Sequence, residues 1–375
     1  MADSHVQRFF EFIRYALNAN PTSIPDTKDI DWQELYVFSQ EQAIVGIVFK
    51  GIKNLGNNGI QLPLNVLSQW IVVSEQIAGQ NKLLNNRCVE VLNELREAGF
   101  DCCFLKGQGN SSYYPDPYSR TPGDIDVWIR HYGNKTISEE RRDGLRFLKA
   151  GHKVMEEPRC YHFGYVDKGV SVELHVMPSI MNNPIYNARL QKWYRNVAEG
   201  TRMMAEVELP DGVGKIPVPT NEFNIVFQLA HMMHHFFDEG IGLRQMMDYY
   251  YLLRNVKDNV RCKTEDIKET LRYLNLNKFA GAVMYIMREV FGLDNHYLIV
   301  PVDERRGKTL MYEILKGGNF GQHSGLTDHT MVGKYFAKTW RNMQLVCDYP
   351  EEALCEPFFR TWHFFWRKCH LWEFA

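Results

Sequence analysis

Between Asp101 and Pro219 the apolar residues fall into short alternating runs, whereas before residue 99 and from Thr220 onward they recur at three- and four-residue steps. A period of two places alternate side chains on opposite faces of a strand, and a period near 3.6 gathers them on one face of a helix. The chain therefore reads as a helical N-terminal region (residues 1–99), an α/β core (100–219) and a helical C-terminal region (220–375), of fold class α+β. The predicted strands are Asp101–Leu105, Ile125–Ile129, Tyr161–Val166 and Val170–Val176. A weaker pair, Met203–Leu209 and Lys215–Val218, flanks the turn Pro210-Asp211-Gly212. Helices are predicted over Pro63–Ala98, near Gly109–Tyr114, over Ser138–Ala150, and from the Thr220-Asn221-Glu222 cap to Phe237. Further helices follow at Leu243–Asn255, Thr264–Leu274, Lys278–Phe291, Lys308–Leu315, Val332–Cys347 and Pro357–Trp372, and the Gly-rich stretch Lys316–Thr330 predicts a loop.

Hydrophobic residues make up 45% and charged residues 23% of the 375, enough for a buried core and too apolar for disorder. A net charge of −2 gives no overall electrostatic footprint for nucleic acid, so general nucleic-acid binding is not expected. The longest apolar run, Ala43–Phe49, is far shorter than the roughly twenty residues a membrane span requires. Arg8, Glu11 and Arg14 interrupt the N-terminal apolar residues, so no signal peptide is expected. Eight scattered cysteines without a C-x-x-C pair predict reduced thiols and a cytoplasmic location.

The most informative local pattern is Gly123-Asp124-Ile125-Asp126-Val127-Trp128-Ile129. In a strand Asp124 and Asp126 share one face while Ile125, Val127 and Ile129 turn to the core, and a divalent cation is the simplest compensation for two neighbouring carboxylates. Val170, Val172, Leu174 and Val176 form a second apolar face, leaving Ser171, Glu173 and His175 opposite. If the two strands are neighbours with aligned buried faces, Glu173 joins the aspartates on an exposed face, and three carboxylates can hold two Mg2+ ions. Upstream, Phe104-Leu105-Lys106-Gly107-Gln108-Gly109 runs from strand into glycines that let backbone N–H groups approach a phosphate. Arg120, just before the paired aspartates, suits bidentate phosphate binding, with a surface salt bridge as the plainer alternative.

The segment Phe104–Ile129, with Leu105-Lys106-Gly107, Tyr114-Pro115, Arg120 and Gly123-Asp124-Ile125-Asp126, resembles the bacterial family of uncharacterised nucleotidyltransferases within the DNA polymerase beta-like superfamily. Val172-Glu173-Leu174-His175 fits that family's third carboxylate, and His231, His234, Gly242, Leu243, Arg244 and Asp248 resemble its helical region, so the likeness spans residues 80 to 255. The resemblance implies a minimal nucleotidyltransferase core, a short mixed sheet flanked by helices, with a nucleoside triphosphate and two Mg2+ ions (Mn2+ as a replacement) at the sheet edge. It implies transfer of a nucleoside monophosphate to a hydroxyl-bearing acceptor, small molecule or protein, with release of pyrophosphate. Carried over by position, Asp124 and Asp126 would bind both ions and Glu173 would complete one site and help deprotonate the acceptor. Lys106, Gly107, Arg120 and Gly123 would face the nucleotide.

One departure stands out: Gln108 occupies the place after the glycine where the superfamily carries a serine. It motivates an alternative, a catalytically inactive descendant that binds a nucleotide or a protein partner in the same cleft. Lys106, if it lies on the core face of its strand, must bury its stem and snorkel its head. His175, His231, His234 and Arg244 are candidate cleft residues. The spacing of His231 and His235 suits zinc but lacks an accompanying glutamate or cysteine, and Arg244 with Asp248 at i,i+4 reads as a structural ion pair. The C-terminal aromatics Trp362, Phe364, Phe365, Trp366, Trp372 and Phe374 are expected to pack the last helix onto the helical region.

Overall fold

The alternating segments Ile125–Ile129 and Val170–Val176 form neighbouring strands, and the remaining elements are arranged around that pair. The computed structural model describes residues 4–18, 24–59, 62–131, 135–151, 154–155, 159–199, 204–258, 264–319 and 331–371. Its mixed sheet has the order β1-β2-β5-β4-β3, with β1 (Phe100–Phe104), β2 (Ile125–His131), β3 (Val154–Met155), β4 (His162–Asp167) and β5 (Val170–His175). β2 and β5 run parallel and the other neighbours antiparallel. A parallel pair requires a crossover, and α6 (Ile137–Ala150) supplies part of it, started by a capping box between Thr136 and Glu139. β4 and β5 are joined by the two-residue turn Lys168-Gly169, both with positive φ (51° and 75°), as a tight hairpin demands. A separate hairpin pairs β6 (Met204–Glu208) with β7 (Lys215–Pro219).

The two faces of the sheet belong to different cores. Phe104, Ile125, Val127, Ile129, Phe163, Val172 and Leu174 pack against the C-terminal half of the long helix α4 (Leu64–Glu97) and against the β6–β7 hairpin. The opposite face meets α8 (Asn221–Asp238), where Trp128 stacks on Phe223 with ring centroids 5.9 Å apart. This corrects one expectation. The face carrying the acidic residues is open only in part: Asp124 is exposed and Glu173 half-buried, but Asp126 is only 7% exposed and His175 only 2%, because a helix that alternation alone does not reveal lies across them.

Helices on both sides of the sheet in sequence share one hydrophobic core. α1 (Ser4–Leu17), α2 (Trp32–Glu41) and α3 (Val45–Asn57) pack with α8, α9 (Leu243–Asp258), α10 (Thr264–Tyr273), α11 (Asn277–Glu289) and α12 (Glu304–Gly317). Arg14 of α1 donates to the carbonyls of Glu289 and Val290 at the end of α11. Buried Gln42 donates to the Ile314 carbonyl (3.1 Å) and accepts from the Leu243 N–H (2.9 Å), so one amide joins three parts of the chain. Gly46 in α3 brings that helix onto the backbone of Ser119: a Cβ there would lie 2.3 Å from the Ser119 carbonyl oxygen. Gly46→Ala should therefore lower stability by about 1–3 kcal/mol, the usual cost of overpacking, as read by chemical denaturation; an unchanged midpoint would show that α3 yields freely.

The two-residue β3, too short to show alternation, and α7 (Pro184–Glu199) are absent from the sequence expectation. The start signal of α7 was present, since Asn183 Oδ1 accepts from the Ile185 and Tyr186 N–H groups and Pro184 follows it. The last helix, α14 (Pro350–His370), begins earlier than expected and carries Pro357 in its interior. Its aromatics pack only in part: Trp366 lies against the Arg141 guanidinium, whereas Phe358 (79%), Trp362 (51%) and Phe365 (61%) are exposed. Trp372, Phe374, Cys262 and positions 320–330 of the predicted loop lie outside the described residues. The seven described cysteines are unpaired, and among the described residues no helix is long and apolar enough to cross a membrane.

Candidate functional site

β2 delivers Asp126 and β5 delivers Glu173 directly opposite each other in the parallel register, as aligned buried faces require. Both carboxylates meet the same imidazole atom: His175 Nε2 lies 3.1 Å from Asp126 Oδ1 and 3.2 Å from Glu173 Oε2. Asp124, one residue before β2, is exposed, and Asp126 and Glu173 are close enough to act on its charge. Surrounding protein strips Asp124 of water and the two neighbouring carboxylates repel it, so its pKa is pushed up to about 6. For Asp126, burial works against ionisation, but the Lys106 ammonium and the His175 imidazole outweigh it and hold the carboxyl below its usual range.

Lys106 follows the end of β1, and Leu105 N–H still pairs with the Asp126 carbonyl at 3.0 Å. The lysine head does not snorkel into water. Nζ sits 2.9 Å from Asp126 Oδ1 and 3.0 Å from His231 Nε2 of α8. Burial and this ammonium keep His231 well below the ordinary imidazole range, so it is neutral and accepts the lysine's hydrogen bond. Gly107 then turns the chain with φ +55° and ψ −116°, a conformation that L side chains rarely adopt, and its α-carbon faces the Asp124 carbonyl. The helix that follows, α5 (Gln108–Ser111), is a single turn.

Several predicted residues are placed differently from the expectation. Arg120, expected at a phosphate or in a surface salt bridge, is buried and pairs bidentately with Asp248, Nε and Nη2 each 2.8 Å from a carboxylate oxygen. The Tyr114 hydroxyl (2.6 Å) and Asn110 amide (3.3 Å) also donate to Asp248, which ties this loop to α9. Arg244 donates to the Pro122 carbonyl (3.1 Å), and Gly123 lets its guanidinium approach: a Cβ there would be 3.3 Å from Nη1. That brings Arg244 beside Asp124, where its charge opposes the carboxyl's upward shift. His234 packs edge-on against Tyr161 with ring centroids 5.7 Å apart, and burial pushes its pKa down to about 3. Gln108 turns away from the carboxylates into α4, donating to the Asn85 side chain and to the Asn81 carbonyl.

One member of the cluster was not anticipated. His162 of β4 pairs with His175 across the hairpin, and its Nδ1 lies 3.4 Å from Glu173 Oε2. The signal was available in the Lys168-Gly169 turn: a two-residue connection pairs Asp167 with Val170 and thereby sets His162 opposite His175.

Asp124, Asp126 and Glu173 thus lie beside Lys106, Arg244 and a glycine turn. A family model described as "Uncharacterised nucleotidyltransferase" matches residues 28–292, and the chain belongs to that family. The match reaches further toward both termini than the motifs do, taking in α2, α3 and α11. No curated protein and no solved structure matches the chain.

Proposed function

We propose that this chain is a metal-dependent nucleotidyltransferase of the DNA polymerase beta-like superfamily, moving a nucleoside monophosphate from a triphosphate to a hydroxyl-bearing acceptor. The observation that carries the reading is the in-register pair Asp126 and Glu173 on the parallel strands β2 and β5, with Asp124 destabilised as an anion by both. An all-oxygen donor set with surplus negative charge fits Mg2+, and Mn2+ by extension. Asp124 and Asp126 would hold two ions and Glu173 would complete one site. When bound, the ions would polarise the α-phosphate and make the acceptor hydroxyl more acidic.

The chain's own groups do the rest. The acceptor oxygen bonds to the α-phosphorus as the bond to the β-phosphate bridging oxygen breaks, and pyrophosphate departs. The hydroxyl proton passes to Glu173, whose Oε2 already faces His175 Nε2 and His162 Nδ1. Lys106 and Arg244 supply positive charge beside the carboxylates for the triphosphate, and Gly107 and Gly123 leave backbone open to it. His175 orients Asp126 and Glu173, which together hold its pKa above the usual value against the effect of burial. The organisation into residues 1–99, 100–219 and 220–375 and a cytoplasmic location belong to the same proposal.

The deciding experiment is pyrophosphate release from each of the four triphosphates with Mg2+ and a cell extract as acceptor source. Release by wild type that Asp124→Ala/Asp126→Ala abolishes supports transfer. The position of Gln108, anchored on α4, favours a second reading, an inactive nucleotide- or protein-binding module. Nucleotide binding without pyrophosphate release would be its signature.

The raised Asp124 pKa sets a pH dependence. Protons compete with the cation at Asp124 once the pH falls through about 6, because the carboxylate is the binding form. Mg2+ affinity should then decline by about tenfold per unit of further acidification, as expected for one competing proton. Calorimetric titration at a series of pH values checks this; the same decline in Asp124→Asn would refute the assignment.

A further inference from the structure

We infer that His162, Glu173 and His175 form a site for a first-row transition dication, which shares Glu173 with the carboxylate Mg2+ set and differs from it in its two imidazoles. His162 Nδ1, Glu173 Oε2 and His175 Nε2 all lie within 4.8 Å of one another. The separations are 3.4 Å from His162 to Glu173 and 3.2 Å from Glu173 to His175. A tetrahedral site with bonds of about 2.0–2.2 Å has ligand-to-ligand edges of about 3.3–3.6 Å, so these three atoms suit one ion whose fourth position is left to water.

A second observation points the same way. His162 is 7% exposed, and its Nδ1 is buried without a hydrogen-bond partner although it faces Glu173. A buried ring nitrogen turned toward a carboxylate without bonding to it is costly in a metal-free cluster and is what a ligand atom looks like. Two imidazoles with one carboxylate suit Zn2+ or Co2+, whereas Mg2+ prefers oxygen and retains its waters. Asp126 Oδ1 stays with Lys106 Nζ, 2.9 Å away, outside this ligand set.

This inference does not depend on nucleotidyl transfer, because the ion binds whether or not a nucleotide is processed. Full-length protein freed of metal with a chelator is titrated with Co2+ and with Zn2+. Stoichiometric Co2+ binding with visible d–d absorption typical of tetrahedral coordination is expected in wild type. His162→Gln, which keeps every carboxylate, should weaken Zn2+ binding by about a hundredfold or more, since even outer-shell partners of a metal cost about 10–100-fold, and should weaken Mg2+ binding far less. Exposed Cys347 and Cys369 also take Co2+, and a thiolate charge-transfer band would identify that binding. Should His162→Gln fail to fold, X-ray absorption of wild type loaded with one equivalent of Zn2+ supplies the answer through imidazole scattering. Zn2+ affinity insensitive to His162, or bound Zn2+ without imidazole scattering, overturns the inference. Intact Co2+ spectra in a protein that releases no pyrophosphate would support it while removing the nucleotidyltransferase reading.

Discussion

Asp126→Asn should reduce the rate of pyrophosphate release by about a thousandfold or more, the loss expected when a metal ligand worth several kcal/mol in the transition state is removed. The substitution is nearly isosteric, so the effect comes from charge. It takes the anion from between Lys106 and His175, which bond Asp126 Oδ1 at 2.9 and 3.1 Å. Nucleotide dissociation constants should change far less than kcat, because ground-state binding also draws on Lys106, Arg244 and the glycine turns. Steady-state kinetics alongside far-ultraviolet circular dichroism separates the two quantities. A natively folded variant with a rate within tenfold of wild type would remove Asp126 from the reaction.

The second large effect concerns stability. Asp248→Ala should cost about 3–5 kcal/mol, since it leaves the Arg120 guanidinium buried without its counter-charge. Asp248 accepts from Arg120, Tyr114 and Asn110, so three donors lose their acceptor together. Arg120→Met/Asp248→Leu should recover most of the loss, because replacing both members of a buried ion pair with apolar residues of similar volume is often close to neutral. Urea denaturation measures both. A loss below about 1 kcal/mol for the single variant, the value typical of an exposed pair, would show that water reaches Arg120.

Much of the sheet was legible because strand parity is a local property. Ile125-Asp126-Val127 and Val172-Glu173-Leu174 state which residues share a face without reference to the rest of the chain, and the structure pairs those faces in register. What lies against a face is not local. The cover provided by α8 depends on residues about a hundred positions downstream, so the expectation of an exposed acidic face holds at Asp124 and fails at Asp126. Arg120 illustrates the same boundary: its charge and position before β2 suggest phosphate, whereas its partner Asp248 is 128 positions away. Gln108 shows that an unusual residue in a motif can serve packing, here against Asn85 of α4. His162 was legible in principle, since hairpin register follows from turn length, and it was overlooked because its strand was read alone.

The contact between Arg14 and the carbonyls of Glu289 and Val290 joins positions up to 276 apart. During synthesis α1 leaves the ribosome before the other described helices, with Phe9, Phe10, Phe12 and Ile13 all destined for the core. The helix end on which Arg14 closes lies 275 positions further along. The aromatic face of α1 finds partners early, Phe9 against Phe38 and Phe12 against Trp32 of α2, so only the seal at Arg14 waits for the end of α11. The acidic cluster waits in the same way, because α8 emerges after β5. Closure of the site and the Arg14 seal are thus late events that helices from the second half of the sequence bring about.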